Sequence, residues 1–189
     1  MDTSKLIKAI KSIHPVSDNF KSTLEEIVIP YNLPKNHILL EPPTISDQLY
    51  FINRGLAMCY TQCKKKKNVE WFRKEGQFLL ASQSFFGQKS SEQYIQLMRR
   101  SELLAMPHHG VERLLVLFPE AQRLFQLILL REYGQTRQYG IDIKFLEATE
   151  RFEKLLKTFP DLDRTVPQES IASYLGITPQ SFSRMKRER

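Results

Sequence analysis

Thr165-Val166-Pro167-Gln168-Glu169-Ser170-Ile171-Ala172-Ser173-Tyr174-Leu175-Gly176-Ile177-Thr178-Pro179-Gln180-Ser181-Phe182-Ser183-Arg184-Met185-Lys186-Arg187-Glu188-Arg189 runs to the last residue of the sequence. Its periodicity is that of two short helices joined at a glycine. Ile171, Tyr174 and Leu175 fall at i, i+3 and i+4, a single apolar stripe. Gly176 follows the last of them, where a helix ends most easily on a left-handed residue, a conformation glycine takes without strain. Thr178-Pro179 then starts a second helix. The threonine hydroxyl can accept from free first-turn amides, and proline fits the first helical position because its missing N–H is not needed there. Phe182 and Met185 mark the inner face of that helix, and Ala172 stands where the two helices approach most closely.

Helix, glycine turn and threonine-capped second helix together read as a helix-turn-helix, whose second helix lies in the major groove of DNA with its N-terminal residues against base edges. The competing reading is a generic helical hairpin with a basic tail. The spacing of Ala172, Gly176, Thr178 and inward Phe182 favours the former; the basic residues alone would not. Thr178, Pro179, Gln180, Ser181, Ser183, Arg184, Lys186 and Arg187 are the candidate DNA-contacting residues.

The rest of the chain is compatible with such a partner. It has 189 residues, 41% of them hydrophobic, and a net charge of +7. That length buries one good core or two small ones, and the charge favours an anionic partner. The charge is spread, with four consecutive lysines from Lys64 to Lys67. No 18-residue apolar run exists and Met1-Asp2-Thr3-Ser4-Lys5 has no apolar signal core, so no membrane span or secretion is expected and the cytoplasm is the expected location. Cys59 and Cys63 share what reads as a strand, on one face but about 13 Å apart, too far to bridge. Two ligands make neither a zinc nor an iron–sulfur site. Glycine-rich phosphate loops, HExxH and nucleophile elbows are all missing from the sequence, which leaves no residues on which to build an enzyme.

Taken in order, the chain begins with a helical stripe of Leu6, Ile7, Ile10 and Ile13, closed by His14-Pro15. Ser17 then caps a second helix bearing Phe20, Leu24 and Ile27. From Val28 the period changes to short apolar or alternating runs at 28–31, 37–40, 49–52, 56–60, 69–72 and 78–80, with further strands at 94–98 and 102–106. Turn signals separate them, which predicts an all-β sandwich or barrel with the lysine run at a solvated hairpin tip. Residues 81–92 read as irregular, and a helix is expected from near Val111, with His108 and His109 as polar turn residues before it.

Pro119 to about Lys144 reads as one long helix, apolar on more than one side around Leu124-Phe125 and Leu127 to Leu130. Such a helix must pack against two things. One side is expected to cover the β-core and the other to meet a second copy of the chain. Gly134 and Gly140, each costing about 1 kcal/mol in a helix interior, are expected to bend or end it. A further helix over 146–159 buries Phe152, Leu155, Leu156 and Phe159. The expected fold is therefore α+β: a β-roll with flanking helices and a long dimerisation helix over residues 1–144, then a helix-turn-helix domain over 145–189.

This order of elements resembles the Crp/Fnr family of bacterial transcription regulators over essentially the whole chain. The resemblance is sharpest at Tyr50-Phe51-Ile52-Asn53-Arg54-Gly55-Leu56 and at Val166 to Gln180. With Glu150-Arg151-Phe152 and Phe159-Pro160-Asp161-Leu162, the style is similar to members from Bacteroidetes-type bacteria. It implies a homodimer that binds a pseudo-palindromic promoter on double-stranded DNA, with RNA polymerase as a candidate further partner. Arg184 matches, in register from Gly176, the family position whose arginine faces base edges. Gln180 would then contact an adenine, Thr178 and Ser181 phosphate, and Lys186, Arg187 and Arg189 phosphate. The small β-wing that follows the reader in most members is expected to be absent or replaced by the basic tail.

In cyclic-AMP-binding members a Gly-Glu-Leu run grips the ribose and an Arg-Ser pair neutralises the phosphate. Laid on that pattern without a gap, Leu80 and Ala81 stand at the glycine and glutamate positions, and Ser91 and Glu92 at the arginine and serine positions. A buried phosphate without a cationic partner, and beside a carboxylate, is penalised by desolvation and repulsion. The expected pocket, drawn from Leu80, Ala81, Ser82, Gln83, Ser90, Ser91 and Glu92, is therefore not one for cyclic AMP. It is left to another small molecule or to none, and neither haem nor an iron–sulfur cluster is expected. The alternative function is a ligand-sensing or protein-interaction module of the same fold that no longer reads DNA.

Overall fold

The structure, a computed structural model, describes residues 2–64 and 66–188. Helix α1 (Ser4–Ile13) buries Leu6 and Ile10, and α2 (Asp18–Ile27) buries Phe20 and Leu24. Ser17 caps α2 by accepting from the Phe20 amide at 3.2 Å. Strands β1 (Ile29–Leu33), β2 (Ile38–Leu40), β3 (Gln48–Arg54), β4 (Leu56–Cys63), β5 (Lys66–Lys74) and β6 (Phe78–Leu79) follow. After helix α3 (Ser82–Gly87) come β7 (Gln93–Leu97) and β8 (Ser101–Pro107). The strands form two antiparallel four-stranded sheets, ordered β1-β8-β3-β6 and β2-β7-β4-β5. Their inner faces share a core of Leu40, Ile52, Ala57, Cys59, Leu79, Ile95, Leu97 and Leu103. The chain passes from one sheet to the other at Gly55, whose φ of +144° is open only to glycine.

Helices α4 (His108–Leu117) and α5 (Pro119–Phe145) then pack with α1, α2, Phe51 and Phe85 in a second core. Helices α6 (Ala148–Thr158), α7 (Leu162–Thr165), α8 (Gln168–Tyr174) and α9 (Pro179–Arg187) complete the fold. Glu147 and Glu150 start α6 with a reciprocal capping box. These C-terminal helices do not build a core by themselves. Phe152, Leu155, Leu162, Val166, Ile171, Leu175 and Phe182 join Leu56, Met58, Tyr60, Val69 and Phe72 of the β4–β5 hairpin in one cluster.

Three local expectations change. Residues 82–87 form a helix, because Phe85, fully buried, anchors the segment in the second core. Helix α4 starts at His108, whose amide donates to the Asp47 carbonyl at 2.8 Å, so His108 and His109 lie in its first turn. Helix α5 runs unbroken through Gly134 and Gly140, where each residue is exposed and its surroundings are open. Cys59 is buried in the roll core, whereas Cys63, at the end of β4 beside the turn, is exposed; the β4–β5 bulge carries its extra residue, Glu70, in β5. The lysine run does lie at the β4–β5 turn, although Lys65 falls outside the described residues.

A Cβ on Gly55 would sit 2.2 Å from Oγ of Ser101, which is itself buried. Gly55→Ala should therefore cost about 3 kcal/mol or more, combining backbone strain with overpacking. Urea unfolding measures it, and a loss below about 1 kcal/mol would mean that the corner relaxes freely.

Candidate nucleic-acid interface and effector cleft

The reader is held together by the residues its spacing singled out. Ala172 and Phe182 are fully buried, and the Phe182 ring stands edge-on to Phe152 at 5.1 Å. Gly176 takes φ +69°, and the Ile177 amide folds back to the Ala172 carbonyl at 3.0 Å. Arg151 fixes the same turn from α6, donating through Nη2 to the Leu175 carbonyl at 2.7 Å. Thr178 accepts from the Ser181 amide at 3.1 Å and donates to the Ser181 hydroxyl at 2.9 Å. The second helix therefore starts from a rigid turn.

Its outward face carries most of the candidate DNA residues. Pro179, Gln180, Ser183, Arg184 and Arg187 are exposed, as is Thr178. Ser181 is half-buried beside its cap. Lys186 is placed differently: its ammonium lies 3.3 Å from the Asp163 carboxylate of α7, half-buried. A phosphate held there would share the cation with Asp163. Arg189 lies outside the described residues.

Helix α8 is docked on the roll. Strand β5 is the outer strand of its sheet, and outer strands carry unpaired backbone groups. The Ser173 hydroxyl accepts from the Val69 amide at 3.0 Å and donates to the Lys67 carbonyl at 2.8 Å. One side chain thus satisfies two groups of the open edge. Tyr174 packs on Phe72 at 5.2 Å between ring centres and on Tyr139 of α5 at 5.0 Å. Burial raises its phenol to about 12, so it is neutral at neutral pH. The Tyr139 hydroxyl donates to the Tyr174 carbonyl at 2.7 Å.

A cleft of about 1000 Å³ opens between the roll, α5 and Tyr174. Leu80, Ser82, Gln83, Ser90, Ser91 and Glu92 line it. Ala81 does not, being 1% exposed within the roll core. Ser91 is buried and closed on itself, its hydroxyl accepting from the Gln93 amide at 2.9 Å. The reading of residues 80–92 missed the wall contributed by β5. Glu70, Trp71 and Arg73 lie on it, so the cleft contains a cation there, and Lys89 lines it as well. Arg73 stacks over Trp71 at 4.9 Å and is ion-paired with Glu132 of α5. An anion at Arg73 would have to displace that carboxylate, whereas among the described residues no ion pair holds Lys89. The only sequence signal was charged residues inside a strand pattern, and Glu132 is 59 positions away. Among the described residues no group of three or more His, Cys, Asp or Glu is placed to hold a metal, and no helix is long and apolar enough to cross a membrane.

No family sequence model matches the chain, and no curated protein matches it by sequence. Solved structures do match. A transcriptional regulator described as of the Crp/Fnr family, from Eubacterium rectale, superposes with a TM-score of 0.75 at 13% identity, covering 92% of this chain and 83% of that one. FixK2 of Bradyrhizobium japonicum gives 0.71 at 14% identity over 86% and 84% of the two chains. The c-di-GMP-responsive global regulator CLP of Xanthomonas campestris gives 0.68 at 16% identity over 91% of each. The fold of this chain is thus the one found in Crp/Fnr-type regulators: antiparallel roll, long helix and C-terminal helix-turn-helix.

Proposed function

We propose that the chain is a DNA-binding transcription regulator of the Crp/Fnr type, with residues 1–144 as sensor and dimeriser and 145–189 as reader. The observation that carries the reading is the α8–turn–α9 unit. Its inner face is buried through Phe182, and its outer face presents Gln180, Ser183, Arg184 and Arg187 to solvent. In this reading α9 enters the major groove, with Gln180 over an adenine and Arg184 over a guanine. An arginine fork on guanine O6 and N7 gives about 1–3 kcal/mol of discrimination. Thr178, Pro179 and Ser181 stand over the backbone beside the helix start, and Arg187 and Lys186 hold phosphate.

The partner along α5 is a second copy of the chain. Burial of its apolar residues stops at Ile128. Beyond it Leu130 is 61% exposed and Tyr133 68%, while Val116 at the end of α4 is 82% exposed. Leu130 and Tyr133, three residues apart on one face of α5, offer the kind of exposed apolar surface that a self-complementary interface covers. A two-fold dimer would read half-sites about 34–36 Å apart.

The cleft is not built for cyclic AMP, since buried Ala81 and self-bonded Ser91 occupy the gripping positions and Arg73 is already paired; it is left to another small molecule or to none. Calorimetry with cyclic AMP is expected to show no binding at micromolar concentration, and a micromolar or tighter constant would overturn this. Sedimentation at micromolar concentration should give a dimer that Leu130→Glu dissociates; a monomeric parent chain, unchanged by DNA, would end the dimer reading. Arg184→Ala should flatten preference at one base pair per half-site and leave non-specific binding nearly intact. Equal loss on selected and random duplexes, with the salt slope lower by about one, would make Arg184 a phosphate contact instead.

A further inference from the structure

We infer that the tip of the β4–β5 hairpin is a second DNA-contacting element, whose lysines grip the phosphate backbone beside the segment occupied by α9. The inference rests on the proposed reader, and concerns a part of the roll that the reading of α9 does not use.

Three observations converge on the tip. Lys64 and Lys66 are exposed, and among the described residues no ion pair holds either of them. Lys67 is different, its ammonium lying over the Tyr60 ring at 4.1 Å and donating to Gln96 Oε1 at 3.3 Å, so it secures the hairpin. Second, the tip is fixed relative to the reader. The Ser173 bonds to Val69 and Lys67 clamp β5 to α8, and β4 pairs with β5 down to Cys63 and Lys66. Lys64 therefore lies within about 10 Å of chain from the Ser173 clamp. Third, Ser173 and the α9 cap Thr178 are five residues apart, at most about 17 Å of extended chain, and the Ile177–Ala172 bond folds that stretch back.

The physical consequence follows from the size of the target. A major groove is about 12 Å wide and phosphates border it on both sides, one charge per about 1.7 Å of duplex axis. A cationic tip tied through Ser173 to the helix before α9 lies within about 27 Å of chain from the α9 cap, a reach that still meets backbone bordering the groove. Surface lysines turned to water would gain little by being clamped. Clamped beside a polyanion, they release counterions with little ordering cost on binding. The contact is blind to sequence, because ammonium groups on phosphate carry no base information.

The full chain provides the test, using a duplex selected with it from a random-sequence library and an unselected duplex of equal length. Lys64→Gln/Lys66→Gln should lower the slope of log affinity against log salt by about 1.8, from about 0.9 per phosphate contact. Between 50 and 200 mM salt the variant would then lose about 12-fold less affinity than the parent. Both duplexes should be affected equally, with base preference kept. Cys63 supplies a direct readout, being exposed beside Lys64 while Cys59 is buried and burial pushes its thiol up. Iron–EDTA tethered to Cys63 should cut the backbone next to each half-site. An unchanged slope and no cutting, with the selected duplex still bound, would overturn the inference and leave the reader intact. A gain in affinity would overturn it too, showing that the hairpin holds the reader away from DNA. Absence of binding by the parent chain at any salt would remove the reader itself.

Discussion

A β-sheet leaves its outer strand with backbone donors and acceptors that water or another chain will pair. Here α8 covers that edge on β5. Ser173 inserts one hydroxyl between the Val69 amide and the Lys67 carbonyl, and the apolar faces of hairpin and helices close around it. Much else depends on this contact. The C-terminal helices are short, and α8 has only seven residues. Helices of that length are marginal alone and take their stability from packing. The hairpin supplies the missing part of their core through Met58, Tyr60, Val69 and Phe72. The C-terminal helices and the roll are therefore stabilised together.

Helix α5 ties the same parts from the other side. Along its length Glu132 pairs with Arg73 of the roll, Tyr139 donates to the Tyr174 carbonyl, and Ile143 lies under Gly176. Near its end Asp142 accepts from Lys154 of α6 at 2.5 Å. Cleft, long helix and reading turn thus share one rigid element. In the proposed regulator, a molecule that separated Arg73 from Glu132, or a second chain lying along Leu130 and Tyr133, would act on residues within a few turns of the reader.

The chain's legibility varied with the range of the forces involved. Ser17, Thr178 and Gly176 behave as their residue types require, because capping and left-handed turns are settled within four residues. The strand runs were readable because alternation and turn residues are local. The short helix at 82–87 was not, since what orders it is Phe85 entering a core built from α1, α2 and α5. The glycines of α5 were misjudged by propensity alone. A helix with one face already anchored by Ala121, Leu124, Phe125 and Ile128 absorbs about 1 kcal/mol at each exposed glycine. In the cleft, residues 80–92 were legible as a wall and Arg73 was not, because a charge inside a strand pattern does not announce the carboxylate that will meet it.

The sequence by itself determined the strands and the long helices, their order, the glycine turn between α8 and α9 and the polar outer face of α9, all of which follow from periodicity and from residues at fixed short offsets. Tertiary structure alone decided that α8 closes the β5 edge, that Lys186 lies against Asp163, and that Arg73 crosses to Glu132. It also decided that Cys59 enters the core shared by the two sheets while Cys63 stays exposed. Each of these brings together, or keeps apart, groups far apart in the chain. Such pairings depend on how whole faces come together, and no short-range pattern encodes that.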